Sequence, residues 1–189
     1  MRVVAGRFRG RALQAPDDMS IRPTSDRVRE SVFNILAHGI ADFTLDGARV
    51  IDLFAGTGAL GIEALSRGAA AVDFVERDPR LARDLRDNLA RLRQSQRVRE
   101  GDALALLDGV PEQPYSLVFV DPPFDAQLWA RAGAALEANG WLAPHALIYL
   151  ESPVQADFEL PPTWQLHRES TAGAVRYALF RRSAKLGAG

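Results

Sequence analysis

From about residue 48 onward, apolar residues follow two alternating rhythms. Ala48–Phe54 is an apolar run broken by Arg49 and Asp52, the pattern of a strand buried on both faces. Thr57–Arg67 follows as a helix, with Leu60, Ala64 and Leu65 among its apolar positions. Ala71–Glu76 predicts a second strand. Pro79–Arg93 predicts a helix with proline in its first turn and Leu81, Leu85, Leu89 and Leu92 along one stripe. Gln96–Glu100 predicts a short third strand and Ala103–Leu107 a short helix. Tyr115–Val120 predicts the fourth strand, Gln127–Ala138 a helix and His145–Glu151 the fifth strand. After Pro153 the rhythm changes. Trp164–Glu169 and Val175–Arg182 alternate with polar residues and have no helix between them, which predicts an antiparallel hairpin at a sheet edge.

Repeated strand–helix units predict an α/β fold, a mostly parallel sheet with helices on both faces. Such sheets bind ligands at the carboxyl ends of their strands. The opening of the chain does not share this rhythm. It reads as an Arg-rich arm, an extended stretch through Arg22-Pro23-Thr24, and an amphipathic helix. Thr24 or Ser25 would cap that helix, and Val28, Val32, Phe33, Ile35 and Leu36 would form its apolar face. The expected division is an arm and helix over 1–45, a main domain over 46–184 and a frayed tail over 185–189.

Composition narrows the function classes. A chain of 189 residues with 47% hydrophobic and 25% charged content suits one globular domain with a short appendage. The absence of cysteine excludes disulfides and thiolate metal sites and suits a reducing cytoplasm. His38, His145 and His167 lack ligand spacing, so no metal is expected. No apolar run is long enough for a membrane span, and Met1–Arg7 lacks the apolar block of a secretory signal. The net charge of −1 hides an asymmetry: Arg2, Arg7, Arg9 and Arg11 open the chain with no acid among them. Arg22, Arg27 and Arg29 follow. Guanidinium groups fork onto phosphate oxygens, so this end is a candidate polyanion contact. A solvated terminus is the plainer alternative.

Gly56, Gly58 and Gly61 form a G-x-G-x-x-G at the first strand-to-helix turn, within Asp52-Leu53-Phe54-Ala55-Gly56-Thr57-Gly58-Ala59-Leu60-Gly61. Glu76 follows Gly56 by 20 residues (76 − 56), where an acid would take ribose hydroxyls. A nicotinamide or flavin dinucleotide is the rival ligand for such a loop. Asp52 argues against it, because a pyrophosphate there would meet a like charge. S-adenosylmethionine has no phosphate, and an acid favours its cationic end. Asp102 could accept from an adenine amine or cap the helix that follows.

Val118-Phe119-Val120-Asp121-Pro122-Pro123-Phe124 is the second chemical motif. Two prolines end the strand and stiffen the turn. The turn holds an acceptor, Asp121, beside the flat ring of Phe124. That pair suits an exocyclic amine on a nucleobase: the ring stacks on the base and the acceptors draw on the amine hydrogens. Gly loop, acid on the second strand and Asp-Pro-Pro-Phe after the fourth strand occur in the order of the amino-methylating methyltransferases.

Residues 2–13, Ile-Arg-Pro-Thr-Ser-Asp-Arg-Val-Arg-Glu-Ser-Val-Phe-Asn-Ile-Leu (21–36), the Gly loop and its helix (52–68), and 118–124 resemble the bacterial 16S ribosomal RNA guanine-N2 methyltransferase family. Asn-Gly-Trp-Leu (139–142), Ala-Leu-Ile-Tyr-Leu-Glu-Ser (146–152) and the closing hairpin match as well. The resemblance implies a Rossmann-like fold with a mostly parallel seven-stranded sheet, a C-terminal antiparallel hairpin and a small N-terminal extension. It implies methyl transfer from S-adenosylmethionine to the 2-amino group of a guanine. The partner would be 16S rRNA in a 30S assembly intermediate with ribosomal proteins; a cytoplasmic monomer is expected. The expected cofactor residues are Asp52, Phe54, Ala55, Gly56, Thr57, Gly58, Glu76, Arg77, Asp102 and Ala103. Asp121, Pro122, Pro123 and Phe124 are the expected catalytic residues, and Arg7, Arg9, Arg11, Arg22, Arg27 and Arg29 the expected RNA contacts. Two other readings stay open: an amino-methyltransferase of adenine N6 or another nucleobase in RNA or DNA, and a non-catalytic RNA-binding assembly factor.

Overall fold

A computed structural model describes residues 1–15 and 25–183. They form two compact units, Met1–Asp102 and Ala103–Gly189. The first unit contains α1 (Asp26–His38), β1 (Arg49–Asp52), α2 (Ala59–Ser66), β2 (Ala71–Glu76), α3 (Pro79–Arg91) and β3 (Val98–Glu100). Helix α1 starts at Ser25, whose Oγ accepts the Val28 N–H at 3.3 Å; Thr24 lies outside the described residues. Its apolar stripe, Val28, Val32, Phe33 and Leu36, is buried. Strand β2 pairs in parallel with β1 on one side and β3 on the other. Asp52 at the end of β1 lies opposite Phe74, two residues before Glu76. This register sets the loop after β1 beside the end of β2.

Several elements are shorter than the periodicity predicts, for local reasons. Helix α2 starts at Ala59 instead of Thr57 because Gly58 takes a left-handed backbone, with φ of 80°. Helix α3 stops at Arg91 instead of Arg93. There the chain closes on itself: Arg93 has φ of 55°, its N–H returns to the Ala90 carbonyl at 2.9 Å, and the Gln94 N–H returns to the Leu89 carbonyl at 2.9 Å. This pair of bonds is the Schellman closure. Strand β3 starts at Val98 instead of Gln96, whose side-chain oxygen accepts the Val72 N–H at 2.9 Å.

The Arg-rich opening is folded. Arg2 and Ala12 form an antiparallel bridge around a 3-10 turn at Gly6–Phe8. Val3 donates to the Arg11 carbonyl and Leu13 to the Met1 carbonyl, and both side chains are buried.

The second unit contains α4 (Ala103–Leu107), β4 (Tyr115–Val120), α5 (Trp129–Ala138), β5 (Leu142–Pro153), β6 (Trp164–Ala172) and β7 (Val175–Arg182). The strands lie in the order β4-β5-β7-β6. Strand β5 is parallel to β4; β7 is antiparallel to both β5 and β6. The predicted hairpin is present, and β6 is the edge, exposed beyond Trp164. Strand β5 is longer than predicted because β7 pairs with it as far as Pro153, past the end of β4. Helix α5 starts at Trp129 instead of Gln127, which sits at φ of 50° after a 3-10 turn over Phe124–Ala126. An ion pair ties α5 to β7: the Arg182 guanidinium donates to both Glu137 oxygens, through Nε at 2.9–3.0 Å and through a second nitrogen to Oε1 at 2.6 Å. No helix among the described residues is long and apolar enough to cross a membrane.

Candidate active site

One group of candidate residues lies in the first unit, at the carboxyl ends of β1 and β2. Ala55 donates to the Val75 carbonyl at 2.9 Å, which ties the loop to β2. Gly58 donates to the Ala55 carbonyl at 2.7 Å and closes the turn. A methyl group at Gly58 would need an unfavourable φ and would stand 2.2 Å from Leu85 Cδ1. At Gly61 it would stand 2.2 Å from Phe74 Cε1, so this glycine lets α2 lie close on β2. Gly56 differs: nothing lies within 4 Å of the position a methyl group would take. Its open side is the place where a ligand can reach the main chain.

Two carboxylates organise this loop. Glu76 accepts the Gly56 N–H through Oε2 and the Asp78 N–H through Oε1, each at 2.7 Å. Asp52 is buried, and its Oδ2 accepts the Gly61 N–H at 3.1 Å. Gly61 belongs to the first turn of α2, where free N–H groups otherwise favour anions. An acid of the protein itself takes one of those donors. A pyrophosphate would find fewer donors and a fixed negative charge, while a cationic group would find an attractive one. The residues therefore fit a sulfonium cofactor. Phe54 is half-buried; Ala55 and Thr57 are buried. Arg77 and Asp102 are exposed after β2 and β3, and Ala103 is buried at the start of α4.

A second group lies in the second unit, at the carboxyl end of β4. Asp121 is half-exposed, Pro122 buried, Pro123 exposed and Phe124 half-buried. The Ala126 N–H returns to the Pro123 carbonyl at 3.0 Å, so the turn is closed by its own backbone. The Phe124 ring lies 6.1 Å from that of Trp129. Trp129 in turn stacks on Phe158 at 5.0 Å and donates its indole N–H to the Glu151 carbonyl at 2.6 Å. The Arg176 guanidinium sits over Phe158, 5.5 Å from its centre. Beneath the turn, the Tyr149 hydroxyl donates to Glu151 Oε1 at 2.7 Å. Burial, with the charges of Glu151 and Asp121, pushes the Tyr149 hydroxyl well above the usual phenol range.

Trp129, Tyr149, Glu151 and Phe158 are absent from the predicted site. One signal was available: Tyr149 and Glu151 stand two apart in an apolar strand, so their side chains share a face.

Arg7, Arg9, Arg11 and Arg27 are exposed, and Arg22 lies outside the described residues. Arg29 is a correction. Its side chain is fully buried, donates to the Arg2 carbonyl at 2.9 Å and pairs with Asp26. It holds the opening hairpin to α1 and has no surface to offer RNA. A second buried group holds the hairpin to α2. Glu63 accepts the Val4 and Ala5 N–H groups at 2.8 and 2.9 Å and pairs with Arg67 at 2.8 Å. The Phe8 N–H donates to Ser66 Oγ at 2.9 Å.

Residues 1–181 match the family described as conserved hypothetical protein 95. The chain is 46% identical over 187 residues to the ribosomal RNA small subunit methyltransferase D of Escherichia coli (strain K12), covering 98% of this chain and 91% of that protein. It is 40% identical to the Haemophilus influenzae protein of the same name, covering 96% and 93%. Among solved structures, Escherichia coli yhhF superposes with a TM-score of 0.88 at 44% identity, covering 98% of this chain and 99% of the other. A more distant likeness is an RNA methyltransferase from Salinibacter ruber in complex with S-adenosyl-L-homocysteine, with a TM-score of 0.63 at 17% identity, covering 89% and 98%. These likenesses show a Rossmann-like fold, with mostly parallel strands closed by the antiparallel hairpin of β6 and β7.

Proposed function

The chain belongs to the family of the ribosomal RNA small subunit methyltransferases D, and from that premise we propose that it methylates the 2-amino group of a guanine in 16S rRNA. S-adenosylmethionine supplies an electrophilic methyl group on a sulfonium. The open side of Gly56 and the Glu76 carboxylate would hold it by main chain and ribose, with Asp52 favouring its cationic end. Phe54, Ala55, Thr57, Gly58, Arg77, Asp102 and Ala103 complete the proposed contacts.

The observation that carries the reading is the turn after β4, which sets a half-exposed carboxylate, Asp121, beside a half-buried ring, Phe124, on a proline-stiffened backbone. Phe124 stacks on the target base, a contact worth about 1–3 kcal/mol per base. The base leaves its own stack at a cost of a few kcal/mol. Asp121 accepts from the amine hydrogens, which keeps the nitrogen lone pair off the ring. The nitrogen then forms the new C–N bond, and the broken S–C bond leaves its electron pair on sulfur. The methylated nitrogen is cationic at that moment and loses one proton, to Asp121 or to water. Pro122 and Pro123 act through rigidity. Most of the rate comes from positioning.

Residues 1–45 serve as the RNA-contacting extension. Arg7, Arg9, Arg11, Arg22 and Arg27 grip phosphates, which orient the RNA without reading sequence. A looped guanine in an assembling 30S particle suits this arrangement, because RNA bases are read where they are unpaired. The setting is the cytoplasm, with the enzyme acting as a monomer.

The test is incubation with unmodified small-subunit particles and labelled S-adenosylmethionine, followed by nucleoside mass spectrometry and mapping of the label. One N2-methylguanosine per particle supports the reading. N6-methyladenosine would replace the substrate, and cofactor binding without transfer would make the protein an assembly factor.

A further inference from the structure

Three side chains share one face at the ends of β4 and β5, and Asp121 follows in the turn after β4. Phe119 is in register with Tyr149, and Val120 with Leu150. One step further along β5 comes Glu151, which alternation returns to the face of Phe119 and Tyr149, and Asp121 follows directly after the end of β4. The side chains agree: Phe119 meets the Tyr149 ring edge-on at 5.9 Å, and Tyr149 donates to Glu151. The charge of Asp121 reaches the Tyr149 hydroxyl as well. From β7, Tyr177 stands in register with Glu151, and Arg176 donates to Ser152 Oγ at 3.2 Å.

Glu151 is 6% exposed, between the buried Leu150 and Ser152. Burying a carboxylate is costly unless something compensates it. The Tyr149 hydroxyl needs an acceptor there, but a neutral glutamine would serve it without the cost of burying a charge. The function proposed above gives the acid a use. The target nitrogen is neutral before transfer and cationic as the methyl arrives. A buried negative charge is weakly screened by water, so it favours that change more strongly than a surface charge would.

Resting on that reading, we propose that Glu151 is a positioning residue of the reaction centre. It supplies a second negative charge near Asp121, held in place by the Tyr149 hydroxyl, and acts on the developing cation without touching the base. The backbone of Glu151 contributes separately by holding Trp129, the ring behind Phe124.

The test compares Glu151→Gln, Glu151→Asp and Tyr149→Phe with the parent enzyme. Single-turnover methyl transfer to small-subunit particles is measured, with S-adenosylhomocysteine affinity by calorimetry and melting of the free protein alongside. Gln keeps the size and the acceptor for Tyr149 but removes the charge; Asp keeps the charge and shortens the arm. Glu151→Gln is expected to slow transfer about ten- to hundred-fold, below the loss of a direct transition-state contact. Cofactor affinity, particle KM and melting should stay near the parent's. Glu151→Asp should recover most of the rate, and Tyr149→Phe should fall between. A Gln variant as fast as the parent, or faster than the Asp variant, would overturn the proposal, since a packing role tolerates Gln better. A parent that binds cofactor and transfers nothing would instead overturn the function, and this inference with it.

Discussion

Gly56 and Glu76, twenty residues apart in the chain, are joined by a 2.7 Å hydrogen bond from the glycine N–H to the carboxylate. The same carboxylate takes the Asp78 N–H. It therefore shapes the glycine loop by itself, and its oxygens keep lone pairs that the proposed ribose contact would use. Glu76→Gln can satisfy one of the two N–H donors at most, and it loses the charge. Hydrogen bonds to charged groups contribute about 1.5–3 kcal/mol, so S-adenosylhomocysteine affinity should fall roughly ten- to hundred-fold. Calorimetric titration checks this; an unchanged dissociation constant places the ribose elsewhere.

Asp121 lies outside that loop, and its loss should leave cofactor binding intact. Asp121→Ala is expected to lower the methyl-transfer rate by about 10²–10⁴, the range for a positioned proton acceptor. Rates on small-subunit particles, set beside the calorimetric affinity of the same variant, check both halves of this expectation.

Glu63 is fully buried and holds two backbone N–H groups of the opening hairpin. Glu63→Ala strands those donors and leaves Arg67 without its partner. Removing one member of a buried charged pair costs about 3–5 kcal/mol. The melting temperature should drop, and limited trypsin digestion should cut after Arg7, Arg9 and Arg11 faster in the variant than in the parent. A hairpin equally resistant in the variant would mean that Val3 and Leu13 suffice to hold it.

The pair between Glu137 and Arg182 makes a prediction about acid. The Arg182 hydrogen bonds hold the Glu137 carboxyl below its usual range, with Trp164 adding a smaller effect. A carboxyl whose folded pKa is depressed contributes stability above its unfolded pKa. That contribution fades as pH falls through the folded value. Melting followed from neutral pH to below the ordinary Glu range should therefore show a larger acid-induced loss in the parent than in Glu137→Gln. The variant itself should be less stable at neutral pH by about 1–3 kcal/mol. Parallel curves for the two proteins would remove the pair from the acid response.

The rhythm of βα units, the Gly loop and the Asp-Pro-Pro-Phe turn were legible because each is written in consecutive residues. What escaped depends on contacts between distant ones. Gln127 at positive φ delays α5, and nothing in its neighbours signals this. The fold of residues 1–13 escaped because its strands are too short for periodicity and its anchors, Glu63 and Ser66, lie some sixty residues on. Arg29 reads as one more basic residue until its surroundings are known; its i,i+3 partner Asp26 was the available clue. Glu151 escaped for the opposite reason: an acid ending an apolar strand looks like the return to solvent.

Gly6 adds a consequence of its own. It sits at φ of 78°, and a methyl group there would lie 2.0 Å from the Ser66 carbonyl oxygen. The basic finger is thus riveted to a helix ahead of the RNA contact proposed for it. Docking would spend little conformational entropy on that finger, and the shape of the RNA, more than the pliancy of the protein, would govern which particles are accepted.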